Sequence, residues 1–350
     1  MKPLDQLETP IAAIDLDQMM VNIQRFQEYC DAHHIANRPH IKTHKTPEIA
    51  WLQLKAGAVG ITCQKLGEAE VMVDAGIRDV FIPYNLVGDA RLERLSALLA
   101  RATLSVTADS ATVVEGLARA ARRAGVPLTV LVEFESGGAR CGVQTPAEAA
   151  GLARTIAACD DLRFGGLMTY PTSPQSAAFV RAVRDILAPA GLDIARVSGG
   201  STRGMWQAHE HPEVTEHRAG MYIFGDRYTI ANGAMTRDTC SFTVITTVVS
   251  RPTADRGVID GGSKTFSSDL LGLSGHGLIL EYPEAQFTGM SEEHGIIDFG
   301  ACARRPVVGD RLTIIPNHCC PVVNLFDELV GHRAGVVDVV WPVAARGAIR

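Results

Sequence analysis

The sequence predicts an α/β chain made of a (β/α)8 TIM-type barrel followed by a C-terminal antiparallel β domain. Two observations carry this. From about residue 16 to 225, short apolar or β-branched runs alternate with Ala-rich amphipathic stretches. After residue 236 the alternation stops, and strand-like runs follow one another with turn signals between them and little helix. Eight strand–helix units favour a closed parallel barrel over an open doubly wound sheet. Strands with little polar alternation suit burial on both faces.

Taken in order, the barrel strands are expected at 35–43, 59–64, 79–84, 103–109, 128–135, 162–170, 195–202 and 217–224. Helical patterns such as "SATVVEGLARAARRAG" and "TPAEAAGLARTIAACD" lie between them. The second opens on Thr145 and Pro146 with Glu148 in its first turn, a cap and a favourable first-turn charge. The later runs "SFTVITTVVSRP", "RGVIDGG", "RLTIIPNH" and "GVVDVVWPV" are the strands of the β domain. The expected domains are a barrel over 12–236 and a β domain over 237–350 that also takes in residues 1–11.

The bulk properties remove several classes of function. The chain has 350 residues and a formal net charge of −6, which gives no electrostatic support for nucleic acid or an anionic membrane as partner. No apolar run reaches the length of a membrane span. The start, "MKPLDQLETP", lacks the apolar core of a signal peptide, so cytoplasm is the expected location. Eight cysteines are too few for a disulfide scaffold at this length and are expected to be reduced.

Chemistry in such barrels sits at the C-terminal ends of the strands. That rule selects Lys42, Gln64, Tyr84, Asp109, Arg140, Tyr170, Ser201, Thr202 and the pair Gly220–Met221. Lys42 lies in "RPHIKTHKTPE", crowded by His40, His44 and Lys45. Neighbouring cations and partial desolvation should lower an amine pKa, and a neutral amine is what Schiff-base chemistry requires. A surface lysine at a strand end is the plain alternative. The stretches "VSGGST" and "RAGMYIFGD" end the last two strands, where barrels commonly bind phosphate on Gly-rich turns; glycines that merely permit tight turns would look the same. A candidate Schiff-base lysine at one end and a phosphate cup at the other suggest pyridoxal phosphate.

Seven stretches together resemble a known family: "RPHIKTHK" at 38–45, "GEAEVM" at 67–72, "ESGGARCGV" at 135–143, "RAGMYIFGD" at 218–226, "DGGSKTFSSD" at 260–269, "SEEHG" at 291–295 and "PNHCCPVVN" at 316–324. The chain resembles the fold type III pyridoxal-phosphate enzymes, the alanine-racemase-like barrels, and within them the D-serine dehydratase and D-threonine aldolase branch. The resemblance implies that Lys42 binds the cofactor covalently and is the catalytic lysine, with Lys45 structural or electrostatic. It implies that Ser201, Thr202, Gly220 and Met221 hold the phosphate, that Tyr170 lies near the pyridine nitrogen, and that Arg140 and Gln64 lie at the cofactor. A plain ion pair of Arg140 with Glu133 or Glu135 is the alternative. The sequence departs from the family pattern at "YPTS" after Tyr170 and at "ESG", where the arginine motif usually starts with aspartate.

A second chemical site is expected at "IIPNHCCPVVN". In an extended strand, residues two apart face the same way, so His318 and Cys320 would point together and Cys319 away. Imidazole and thiolate on one face suit zinc. The resemblance implies a metal there, with manganese the alternative ion, and makes His294 with Glu292 or Glu293 candidates for supporting the ligand histidine. In the resembling branch a His-x-Cys pair accompanies zinc-dependent dehydratases and a His-x-Asp pair accompanies aldolases. The implied activity is therefore a lyase acting on a small D-3-hydroxy amino acid, giving a 2-oxo acid and ammonia. Retro-aldol cleavage to glycine and an aldehyde is the runner-up, ahead of an amino-acid racemase or a pyridoxal-phosphate carrier without catalysis. The resemblance also implies a homodimer.

Overall fold

The computed structural model describes residues 2–350, which form two compact units. One comprises 26–42, 49–220 and 348–350; the other comprises the N-terminal segment to Arg25, 43–48 and 221–347. No helix among the described residues is long and apolar enough to cross a membrane.

Strand β1, Ile11–Asp15, belongs to the second unit. It pairs antiparallel with a later strand, Phe242–Ser250, and parallel with Glu328–Arg333. The sequence expectation assigned residues from 12 onward to the barrel. All four residues Ile11–Ile14 are buried, and an apolar run of this kind cannot by itself say which sheet will cover it.

The first unit holds eight parallel strands: β2 Ala36–Asn37, β3 Ile61–Thr62, β4 Asp79–Ile82, β5 Thr103–Ala108, β6 Leu128–Phe134, β7 Leu162–Thr169, β8 Val197–Gly199 and β9 Glu216–His217. Their spatial order is β2-β9-β8-β7-β6-β5-β4-β3. The two ends of that row meet. His40 forms a parallel bridge with Thr62, the Thr62 N–H donates to the Pro39 carbonyl at 2.8 Å, and the Val59 N–H donates to the Asn37 carbonyl at 3.0 Å. The sheet is therefore a closed ring, and the open doubly wound alternative does not hold. Ring closure removes both exposed edges.

The eight expected strands all occur, but several are shorter than the apolar runs that announced them. The first is two residues long, and the chain then enters a 3-10 turn at Ile41–Thr43. The last stops at His217, and residues 221–223 form another 3-10 turn instead of strand. The expected helix after Thr145 runs over Pro146–Ala157, with the Thr145 hydroxyl accepting from Glu148 N–H and the Glu148 carboxylate accepting from Thr145 N–H.

A buried ion network sits inside the barrel. Glu216 accepts from Arg38 at 2.7 Å and from Ser198 at 2.5 Å, Arg196 lies 3.4 Å away, and Arg38 also reaches Asp79. Burial disfavours the Glu216 charge, but the two arginines outweigh it and hold the carboxyl below its usual range.

In the second unit, β10 Phe242–Ser250, β11 Arg256–Ile259, β12 Gly277–Ile279, β13 Gln286–Met290, β14 Gly295–Asp298, β15 Arg311–Pro316, β16 Glu328–Arg333 and β17 Val336–Pro342 join β1 in a nine-stranded, mostly antiparallel sheet. Strands β10, β11, β15 and β17 arise from the four runs read in the sequence. Strands β12, β13, β14 and β16 lie in segments with shorter or more interrupted apolar runs.

Removing Glu216 would leave Arg38 and Arg196 buried without their shared counter-charge. A Glu216→Ala variant should lose about 3–5 kcal/mol of stability, read as a lower urea midpoint. An unchanged midpoint would show that the network contributes nothing to the fold.

Candidate active site

The C-terminal strand ends of the barrel unit carry most of the residues the sequence selected. Lys42 lies in the turn just beyond the closing bridge at His40 and is half-buried. Its backbone N–H points at His40 Nδ1 at 3.4 Å, and His40 Nε2 pairs with Gln64 Oε1 at 3.0 Å. Gln64 in turn donates to the Pro83 carbonyl. Burial, then the adjacent charge of Lys42, pushes the His40 pKa well below the ordinary histidine value. His40 is thus a neutral, fixed neighbour of the lysine at physiological pH.

Across the ring, β6 and β7 end in the next pair. The Arg140 guanidinium lies 4.9 Å over the Tyr170 ring and 3.7 Å from the Glu133 carboxylate, so it has both an aromatic face and an ion partner. The ion pair that the sequence left open is therefore present. Gly142 makes this turn possible: its φ is +111°, and a Cβ there would sit 2.5 Å from the Phe134 carbonyl carbon. Its N–H donates to Asp109 at 3.2 Å. A cleft of about 460 Å³ opens here, lined by Asp109, Glu135, Arg140, Cys141 and their neighbours.

The Gly-rich loops after β8 and β9 are stitched together, with the Gly220 N–H donating to the Thr202 hydroxyl at 3.3 Å. The Ser201 carbonyl receives His217 Nε2 at 3.1 Å, and the Ser201 hydroxyl accepts from Arg203 N–H. Buried Arg218, just after β9, ties it to the two preceding strands, donating to the Ser198 hydroxyl of β8 at 2.7 Å and to the Thr169 carbonyl at the end of β7 at 3.0 Å. A primary amine, two adjoining loops with hydroxyl and amide groups, and an aromatic ring with a guanidinium are the groups a phosphorylated pyridine aldehyde needs.

Met221 follows Gly220 and belongs to the second unit, as do residues 43–48. Lys45, with φ +54°, donates through Nζ to the Ala345 carbonyl at 3.4 Å and accepts the Ala345 N–H at 3.0 Å, which is a structural engagement. Thr43, the residue after Lys42, places its hydroxyl 3.2 Å from Cys320 Sγ.

His318 and Cys320 are side by side, but not by the strand geometry expected. Strand β15 ends at Pro316; His318 is the N-cap of a short helix, Cys319–Val323. The helical turn brings Cys320 back to hydrogen-bond the imidazole, and Cys319 is fully buried. Asp269 accepts from His318 Nδ1 at 2.8 Å. Glu293 instead pairs with Lys264, and His294 reaches Ser291. The supporting carboxylate is thus Asp269, at the end of "DGGSKTFSSD", and the sequence alone assigned it no role. Burial opposes a charge on His318, but Cys320, Asp269 and Asp226 outweigh it and raise its pKa to about 9.

An imidazole whose Nδ1 is held by a carboxylate, beside a thiol, is a donor pair that fits a zinc-like ion through Nε2 and Sγ. Among the described residues no group of three or more His, Cys, Asp or Glu side chains is arranged to hold a metal. A metal on this pair therefore keeps positions for other ligands.

The comparisons with known proteins agree with this anatomy. The model for "alanine racemase, N-terminal domain" matches residues 14–228, and that for "putative serine dehydratase domain" matches 241–332. D-threonine aldolase from Arthrobacter sp. is 34% identical, over 99% of this chain and 95% of its own. D-threo-3-hydroxyaspartate dehydratase from Delftia sp. is 32% identical, over 90% and 91%. Among solved structures, D-threonine aldolase from Filomicrobium marinum superimposes with a TM-score of 0.89 at 32% identity, covering 99% of this chain and 98% of its own. The Delftia dehydratase gives 0.87 at 30%, covering 98% and 99%.

A metal on this pair would have to displace the proton that His318 holds. In the metal-free protein this raised pKa stabilises the fold below the ordinary value of 6.5, and the contribution is lost as pH rises through about 9. Zinc affinity, measured by chelator competition, should therefore rise at least about tenfold per unit from pH 6.5 to 8.5. A flat profile would contradict His318 as the ligand.

With its N-terminal barrel and C-terminal dehydratase-type domain both matched, the chain belongs to the alanine-racemase-like, fold type III pyridoxal-phosphate enzymes, in the branch that holds D-threonine aldolase and D-threo-3-hydroxyaspartate dehydratase.

Proposed function

We propose that the chain is a lyase for D-configured 3-hydroxy amino acids, using pyridoxal phosphate on Lys42 and zinc on His318 and Cys320. Its net reaction is dehydration and hydrolysis to a 2-oxo acid and ammonia. The full-length relatives support the substrate class, since their names give D-threonine and 3-hydroxy-D-aspartate. The observation that carries the choice of reaction is the thiol at 320, two residues after His318 and hydrogen-bonded to it. Solved variants of D-threo-3-hydroxyaspartate dehydratase replace a histidine and, two positions further on, a cysteine by alanine, the latter in metal-free form. Thiolate also favours zinc over manganese, the alternative ion.

In this reading Lys42 anchors the cofactor, Ser201, Thr202, Gly220 and Met221 hold its phosphate, and Gln64, Arg140 and Tyr170 flank its ring. When bound, pyridoxal phosphate supplies an electron sink that acidifies Cα–H, and zinc supplies Lewis acidity at the β-hydroxyl. Lys42, once its amine is released, takes the proton from Cα. Neutral His40, held by Gln64, adds no second positive charge beside that amine. Asp269 fixes the tautomer and orientation of His318, and the Thr43 hydroxyl steadies Cys320. Loss of the Cα proton and the β-hydroxyl releases water and an enamine, whose imine tautomer takes up water to give the 2-oxo acid and ammonia. By the same resemblance, the reading includes a homodimer.

Retro-aldol cleavage is the second reading, and the 34% identity to the Arthrobacter D-threonine aldolase favours it. Supplying D-threonine separates the two. The dehydratase reading expects 2-oxobutyrate and ammonia, whereas glycine and acetaldehyde would replace it with the aldolase. Lys42→Ala should abolish turnover and the borohydride-sensitive cofactor absorbance. His318→Ala should keep that absorbance while losing zinc and at least about a hundredfold in kcat/KM.

A further inference from the structure

We propose that Asp226 is a positioning residue for the metal turn, setting the geometry of His318 and Cys320 without touching the metal. The inference rests on the reading of that pair as the zinc ligands. Asp226 is fully buried at the end of "RAGMYIFGD", five residues past Met221. Its two carboxylate oxygens serve two separate backbone segments. Oδ1 accepts the Thr229 N–H at 2.8 Å and so caps the short helix Arg227–Ala231. Oδ2 accepts the Cys319 N–H at 3.0 Å.

Cys319 is the residue between the two ligands, so this bond fixes the backbone from which both side chains spring. Two further contacts fasten the same two segments, and a third ties Asn317 to Gly275. Tyr228 N–H donates to the Asn317 carbonyl at 3.2 Å, Arg227 Nη1 donates to Asn317 Oδ1 at 2.7 Å, and the Asn317 amide donates to the Gly275 carbonyl at 2.7 Å. Among these, the Asp226 bond is the one made to a residue flanked by ligands on both sides. It is also a charge-assisted bond to a backbone N–H, roughly twice as strong as a neutral one. Two ligands from the protein give little chelate rigidity by themselves. The binding cost therefore falls on how well the turn is organised beforehand.

The requirement on position 226 is specific. An acceptor is needed at both oxygens at once. Asparagine has the right size but presents an NH2 group where one of the two N–H donors points, so one of the two bonds must be lost.

The test measures zinc binding by chelator competition and the spectrum of the cobalt-substituted protein, using the whole chain loaded with pyridoxal phosphate. Asp226→Asn should retain cofactor absorbance, weaken zinc binding by about 10- to 100-fold and shift the thiolate-to-cobalt band. Cys319→Pro is the second variant: proline is tolerated in the first helical position, and it deletes the donor while leaving Asp226 in place. It should produce a loss of similar size. Parent-like zinc affinity and cobalt spectra in both variants would overturn the inference while leaving the zinc site intact. A parent protein that binds no zinc would overturn the ligand reading and the inference together.

Discussion

The barrel closes at one seam, and the lysine on which the chemistry is proposed to turn sits two residues beyond it. His40 bridges to Thr62, and the Thr62 hydroxyl and N–H are both used there, on the Arg38 and Pro39 carbonyls. A first strand of only two residues cannot hold a ring closed through its own ladder. The side chains flanking the seam supply the rest: Arg38 enters the buried network with Glu216 and Asp79, and His40 locks to Gln64. The same few residues that close the ring therefore immobilise the backbone leading into Lys42. The catalytic role proposed for that amine needs a fixed origin for a long flexible side chain, and the fold provides it as a consequence of closure.

Buried charge is distributed with the same economy. Arg218 is buried, and desolvation lowers its pKa to about 10. It remains a cation because Glu216 and Glu133 lie in its field. Glu133 also faces Arg140, and burial raises the Glu133 pKa despite that partner. Arginines and carboxylates thus alternate from the barrel interior to the rim, and each stabilises the charge of the next. This explains why Arg140 can stand over Tyr170 while paired to an acid: its partner is fixed from behind.

Much of this was legible in the sequence because it is local. Each of the eight barrel strands is an apolar run of its own, and Thr145 with Glu148 announces a helix start within four residues. Strand ends were less legible, since at the rim the chain leaves the ladder for turns while remaining apolar, as at Ile41 and Met221–Ile223. Residues from 12 onward were assigned to the barrel because nothing within the five residues of β1 tells which sheet will accept them. The pairing of His318 with Cys320 was anticipated from strand alternation, yet a helix N-cap produces it. A spacing of two can bring side chains together in either geometry. The supporting acids were out of reach for a different reason. Asp269 is 49 residues from His318 and Asp226 is 93 from Cys319, and the fold alone makes them neighbours.

Those distant acids bear on how the proposed metal turn could work with so few ligands. A closed structural zinc site takes four protein donors and leaves nothing for a substrate. A pair leaves positions for a substrate hydroxyl, but it gives up most of the affinity that a full set would bring. What it gives up must be recovered by preorganisation. In the proposed reading Asp269 holds the Nδ1–H and the orientation of His318, Thr43 holds the Cys320 sulfur, and Asp226 holds the N–H between them, so that little freedom would be left to lose when an ion arrives. Each of these three contributors touches one of the two proposed ligands or the N–H between them, and none would use up a coordination position. Openness to substrate and dependence on surrounding hydrogen bonds are then two sides of one construction.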